Sequence, residues 1–262
     1  MAPIFLPDLR LNAEIVGPQD GPALVLIHAL GTGLEIWEDV VPLLPPGLRI
    51  LRFDLRGHGA SDVPAAPYSM GALIRDTERL MDHFALTDAV VLGLSIGGLI
   101  AQGLAVKRLD LVRAMVLSNT AARIGRPEQW QDRITTLRTG GMEALHDATM
   151  ERWLGRKWRE NPALPRLSRL FRQTNPEGWA GCAAALAGTD FYETTATLTL
   201  PTLAIAGAND GSTPPDLLRE TAELVKGHRF ALIRGAGHIP PVEKPAEYAA
   251  LLTQFLTEIG HV

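Results

Sequence analysis

Short apolar runs recur along the chain, and between them lie stretches in which apolar residues return every three or four positions. Ala89–Leu92 is a short apolar run of the sort that a strand buried on both faces needs, Ala23-Leu24-Val25-Leu26-Ile27 is a strongly apolar run, and Arg49–Phe53, Val112–Ser118, Thr202–Gly207 and Phe230–Ile233 read as further strands. Leu9–Val16 alternates as a strand and ends in the turn cluster Gly17–Pro22. Helical spacing is read over Ile36–Leu44, stopped by Pro45-Pro46-Gly47, and over Met70–Phe84, where Leu73, Leu80, Met81 and Phe84 share a face between charges. Leu99–Lys107, a segment from about Pro214–Pro215, and Pro245 to about Thr257 complete the helices. Strands alternating with helices predict an α/β fold: a mainly parallel central sheet flanked by helices.

The alternation lapses once. Ala121–Ala187 holds four of the five tryptophans and many arginines, with no convincing strand and with breaks at Gly140-Gly141, Asn161-Pro162, Pro165 and Asn175-Pro176. The expected organisation is a core of residues 1–120 and 188–262, with a helical cap of residues 121–187 inserted after about the sixth strand.

Composition narrows the function classes. At 262 residues the chain can bury a large core, and its net charge of −4 is too mild for nucleic acid or a membrane surface as partner. No apolar run is long enough to span a bilayer, and the N-terminal stretch lacks the basic start and apolar centre of a secretory leader. The single cysteine, Cys182, cannot form an internal disulfide, which suits a reducing cytoplasm. Metal-ligand spacings and a G-x-x-x-x-G-K-[ST] phosphate loop are not found.

Candidate chemistry starts at Gly93-Leu94-Ser95-Ile96-Gly97, a G-x-S-x-G placed where a strand gives way to a helix. Such a turn strains the central serine and lifts its hydroxyl out of the sheet, and a Cβ two residues to either side would collide with it. In parallel sheets, reacting groups gather at the carboxyl ends of strands. Asp210 follows Thr202–Gly207 and His238 follows Phe230–Ile233, so Ser95, Asp210 and His238 fall in three strand-end loops on one edge. The order Ser, Asp, His is that of the α/β hydrolases. Ser95 is the expected nucleophile, His238 its base and Asp210 the acid that orients the imidazole. Asn119 follows the preceding strand, but an amide cannot stabilise imidazolium as a carboxylate does. The loop opening at His28 should supply one oxyanion donor, the backbone N–H of Leu30, and Ile96 the other. The His28 ring, Asp54 and His58 read as pins of their loops.

Residues 121–187 carry ten arginines and Lys157 against seven acids, a net +4 on a chain whose total is −4. A cationic cap over an anionic body favours an anionic substrate. Gly93–Gly97, Asp210 and His238 together resemble the α/β-hydrolase superfamily. Leu117–Gly125, Trp130 with Arg133, Gly178–Ala184 and His28–Thr32 resemble the 3-oxoadipate enol-lactonases more narrowly. That resemblance implies a cytoplasmic, cofactor-free enzyme of aromatic breakdown that hydrolyses a small enol-lactone bearing a carboxylate. Arg133, one helical turn from Trp130 and on the same face, is the expected carboxylate ligand. A general carboxylesterase or a cofactor-free C–C hydrolase would use the same triad. Halide displacement would need an aspartate in place of Ser95.

Overall fold

The computed structural model describes residues 2–262. Eight strands form one sheet in the order β1-β2-β4-β3-β5-β6-β7-β8. They are β1 (Ala2–Leu6), β2 (Leu9–Val16), β3 (Ala23–Ile27), β4 (Arg49–Phe53), β5 (Ala89–Leu94), β6 (Val112–Ser118), β7 (Thr202–Gly207) and β8 (Arg229–Ile233). β1 and β2 pair antiparallel, β2 joins β4 antiparallel, and β3 to β8 run parallel. Every residue of β3, β5 and β7 is buried, as their unbroken apolar runs require when helices cover both faces.

The helices are α1 (Met70–His83), α2 (Ile96–Lys107), α3 (Pro127–Leu154), α4 (Leu164–Gln173), α5 (Pro176–Ala187), α6 (Tyr192–Thr195), α7 (Pro215–Glu223), α8 (Pro240–Glu243) and α9 (Pro245–Glu258). α3 to α6 occupy the excursion between β6 and β7. Ser69 caps α1 by accepting the Ala72 N–H.

Two expectations need correction, and one strand has no counterpart in the sequence reading. Ile36–Leu44 is not a helix but two 3-10 turns, Leu34–Trp37 and Val41–Leu43. Pro42 lies mid-segment, where it lacks an N–H to donate and would crowd the carbonyl four residues earlier. α2 starts at Ile96 rather than Leu99, because the glycines that look like a turn are the first turn of the helix. β1 was not anticipated: Pro3 tolerates only an edge position, and there the strand lies, beside β2.

α3 is not one rod. Gly141 leaves the helical region (φ 67°, ψ −169°), dividing an outer half with Trp130 and Arg133 from an inner half ending at Trp153 and Leu154.

Candidate active site

Ser95 joins β5 to α2 with φ 58° and ψ −118°, a positive-φ conformation that a non-glycine residue adopts only under constraint. The constraint is visible. Its N–H donates to the Ser118 carbonyl (3.0 Å), and its carbonyl accepts from Thr120 Oγ1 (2.6 Å) and the Gly98 N–H (2.9 Å). A Cβ at Gly93 would overlap the Gly97 carbonyl oxygen, and one at Gly97 would press on the Ile27 carbonyl of β3. The flanking glycines therefore let the turn close against the neighbouring strand.

Asp210 and His238 emerge from the loops after β7 and β8 and meet: His238 Nδ1 lies 2.8 Å from Asp210 Oδ2. Both side chains are buried. Asp210 Oδ1 accepts the N–H groups of Ser212 (2.7 Å) and Thr213 (3.1 Å), while Oδ2 also accepts from Thr213 Oγ1 and Asn119 Nδ2, each at 2.8 Å. Burial alone would raise the pKa of this carboxyl. The His238, Asn119 and Thr213 contacts outweigh it and hold the pKa below the usual value, so Asp210 stays ionised. Asn119, itself at positive φ, also donates to the Gly237 carbonyl (3.0 Å), tying the aspartate to the histidine loop.

Ser95 and His238 open into one cavity of about 50 Å³, with Leu30, Trp130 and Arg133 in its wall. Ile96 begins α2, so its N–H has no partner within the helix. In the facing loop the Gly31 N–H is taken by His58 Nε2 (3.0 Å) and the Thr32 N–H by the Ala29 carbonyl (3.2 Å). The Arg133 guanidinium lies 4.6 Å from the centre of the Trp130 ring, and Trp130 Nε1 donates to the Ile124 carbonyl (2.6 Å).

Sequence reasoning passed over Arg152 and Trp153, at the inner end of α3, which line the same cavity. The Trp153 ring stacks on the His238 imidazole, centroids 6.1 Å apart. The Trp153 carbonyl accepts the His238 N–H (2.7 Å), and the Arg152 carbonyl accepts the Gly211 N–H (2.8 Å). Gly237 allows this approach, since a Cβ there would overlap the Trp153 carbonyl oxygen. The tryptophan count marked this region, but nothing in the spacing says which ring reaches the histidine.

His28, Asp54 and His58 hold loops. Asp54 accepts from Asn12 Nδ2 (2.7 Å) and from the N–H groups of Leu34 (2.8 Å) and Ala60 (3.1 Å). His28 Nε2 accepts the Leu55 N–H (2.9 Å). Acceptance by a ring nitrogen needs neutral imidazole. Burial pushes the His28 pKa down, and burial with the neighbouring His28 pushes His58 down to about 3. Between that value and the ordinary 6.5 the unfolded chain binds more protons than the folded one, so stability falls as pH falls. The melting temperature is expected to drop from pH 7.5 to pH 5, most steeply below pH 6.5, where His58 costs up to roughly 1.4 kcal/mol of stability per pH unit and His28 acts in the same direction. A flat profile in thermal scans would remove both histidines from this role.

The alpha/beta hydrolase fold family model matches residues 22–139 and 122–245. The chain is an α/β hydrolase. This hydrolase is 32% identical over 243 residues to 3-oxoadipate enol-lactonase 2 of Acinetobacter baylyi, covering 92% of the chain and 91% of the relative. It is 29% identical over 251 residues to enol-lactonase 1 of the same organism, covering 95% and 94%. The crystal structure of the enol-lactonase from Burkholderia xenovorans LB400 superposes with a TM-score of 0.92 at 35% identity, over 98% of this chain and 100% of that one. Among the described residues no helix of the hydrolase is long and apolar enough to cross a membrane.

Proposed function

We propose that this hydrolase opens a small enol-lactone bearing a carboxylate, 3-oxoadipate enol-lactone to 3-oxoadipate, through an acyl-enzyme on Ser95. Residues 121–187 serve as a cap over a core of residues 1–120 and 188–262. The observation that carries the reading is one small cavity holding Ser95, His238 and the half-buried Arg133, whose pKa burial lowers. The enol-lactonase relatives support the same substrate class.

His238 Nε2 takes the Ser95 proton as Oγ attacks the lactone carbonyl, and Asp210 stabilises the imidazolium through Nδ1. The N–H groups of Leu30 and Ile96 receive the oxyanion, a contribution of about 3 kcal/mol per donor. Collapse of the tetrahedral intermediate breaks the ring C–O bond, and His238 returns its proton to the departing enol oxygen. Water then attacks the acyl-enzyme, again deprotonated by His238, and releases the second carboxylate and Ser95. The substrate carboxylate, retained on the acyl chain throughout, lies against Arg133, which Trp130 holds by its ring face.

A continuous assay on the enol-lactone against simple p-nitrophenyl esters tests this reading. At least a hundredfold higher kcat/KM on the lactone is expected, and a preference for the aryl esters would instead mark a general carboxylesterase. Arg133→Ala should raise KM about tenfold for carboxylate-bearing esters, the loss of one charge-assisted contact. Equal losses on neutral esters would remove Arg133 from substrate binding.

A further inference from the structure

Most of the arginines of residues 121–187 face acids. Arg123 pairs with Asp190, Arg138 with Glu177, Arg159 with Asp147, and Arg172 with Glu143. Arg166 and Arg169 reach across to Glu35 and its neighbours. Arg133 and Arg152 differ. Both are half-buried in the catalytic cavity, and among the described residues neither forms an ion pair. The Arg152 guanidinium makes one neutral contact, from Nη2 to Thr149 Oγ1 at 3.1 Å. Burial and then the like charge of Arg133 push its pKa down to about 10, so the two cations feel one another across the cavity. Two withdrawn positive charges sharing a cavity are costly without an anion and are relieved by one.

Their mounting is unequal. Arg133 rides on the outer half of α3, beyond the break at Gly141. Arg152 is on the inner half, where its own carbonyl is bonded to the loop of Asp210 and the next residue's carbonyl to the His238 N–H. Its Cα is therefore registered against the catalytic loops through backbone hydrogen bonds.

We propose that Arg152 is the specificity-determining residue of this cavity: it binds the carboxylate on the acyl side of the substrate and fixes its distance from Ser95, with Arg133 closing on the same group from the outer half of α3. The proposal rests on the ester-hydrolase reading above and names a second cation for its anionic substrate. Arg152 would then contribute to both binding and acylation, because a misplaced carboxylate misplaces the carbonyl.

Mono-p-nitrophenyl adipate and its methyl-capped diester differ in one charge and make the test, with wild-type enzyme and the variants Arg152→Met and Arg152→Lys. The wild type should favour the charged ester by at least tenfold in kcat/KM. Arg152→Met should lose tenfold or more on the charged ester and less than threefold on the capped one, and Arg152→Lys should recover part of the loss. Equal losses on both esters, or no loss on either, would overturn the proposal. Calorimetric binding of adipate to Ser95→Ala gives a readout without turnover: affinity at least tenfold weaker when Arg152→Met is added supports the assignment, and unchanged affinity refutes it. A wild-type charge preference on the half-ester without turnover of the enol-lactone would sink the lactone reading and leave Arg152 standing. Lactone turnover indifferent to Arg152→Met would sink the Arg152 proposal alone.

Discussion

Ser95→Ala should lower kcat by about 10⁴-fold to 10⁶-fold while leaving the melting temperature unchanged. The hydroxyl is the attacking group in the proposed mechanism. By contrast, the backbone of the turn is held by Ser118, Thr120 and Gly98 through main-chain atoms that alanine retains. Ser95→Gly separates chemistry from strain. It should be equally inactive, yet more stable by about 1 kcal/mol, since glycine adopts φ 58° freely and offsets part of that gain with its greater freedom when unfolded. A fluorophosphonate probe, which reacts with an activated serine, should label the wild type alone among the three. Turnover retained by Ser95→Ala would end the mechanism.

Asp210→Asn should lower kcat by about 10³-fold to 10⁴-fold. The side-chain oxygen facing Ser212 and Thr213 is preserved in shape, so the loop leading to α7 should fold as before. The other end changes: an NH₂ group aimed at His238 Nδ1 favours the tautomer whose Nε2 cannot accept the serine proton. Loss of less than tenfold in a folded variant would place the acid elsewhere. The ionised aspartate also contributes to stability. Because its folded pKa is depressed, that contribution is present at neutral pH and is lost as pH falls below the ordinary carboxylate value, after most of the histidine effect has already acted.

The sheet was legible where physics leaves the chain little choice. β3, β6 and β7 have the bounds expected from their apolar runs, since a strand buried on both faces tolerates almost nothing else, and β2 and β4, only partly buried, have the expected bounds too. Elements whose identity depends on a single residue were harder to read. Pro42 broke an otherwise helical spacing, and Pro3 obscured a strand that survives only at the edge. The strand-end rule placed Ser95, Asp210 and His238 on one side of the sheet, and the structure sets the last two in contact. Arg152 escaped notice because charge counting yields a total of arginines without showing which find acids. That distribution depends on tertiary packing: α4 sets Arg166 and Arg169 against Glu35 and Glu38, more than a hundred positions away, while Arg138 and Arg172 find acids on neighbouring helices. Asn119 was weighed only as a substitute acid, and its actual contact is a donor bond to Asp210.

β6 and β7 are parallel neighbours, yet about eighty residues separate them in the chain. A crossover between parallel strands needs only about a dozen residues. Closing the longer loop adds little, because the entropy of closure grows with the logarithm of length: the whole excursion costs the β6–β7 pairing about 2 kcal/mol more than a minimal one. The helices within it offset that cost by burying Leu167, Phe171, Trp179 and Cys182 in the one apolar cluster they share with the sheet. Chain entropy therefore constrains the length of this segment least, and away from the Arg152 and Trp153 carbonyls that hold the Asp210 and His238 loops it can lengthen or shorten at little entropic cost to the sheet.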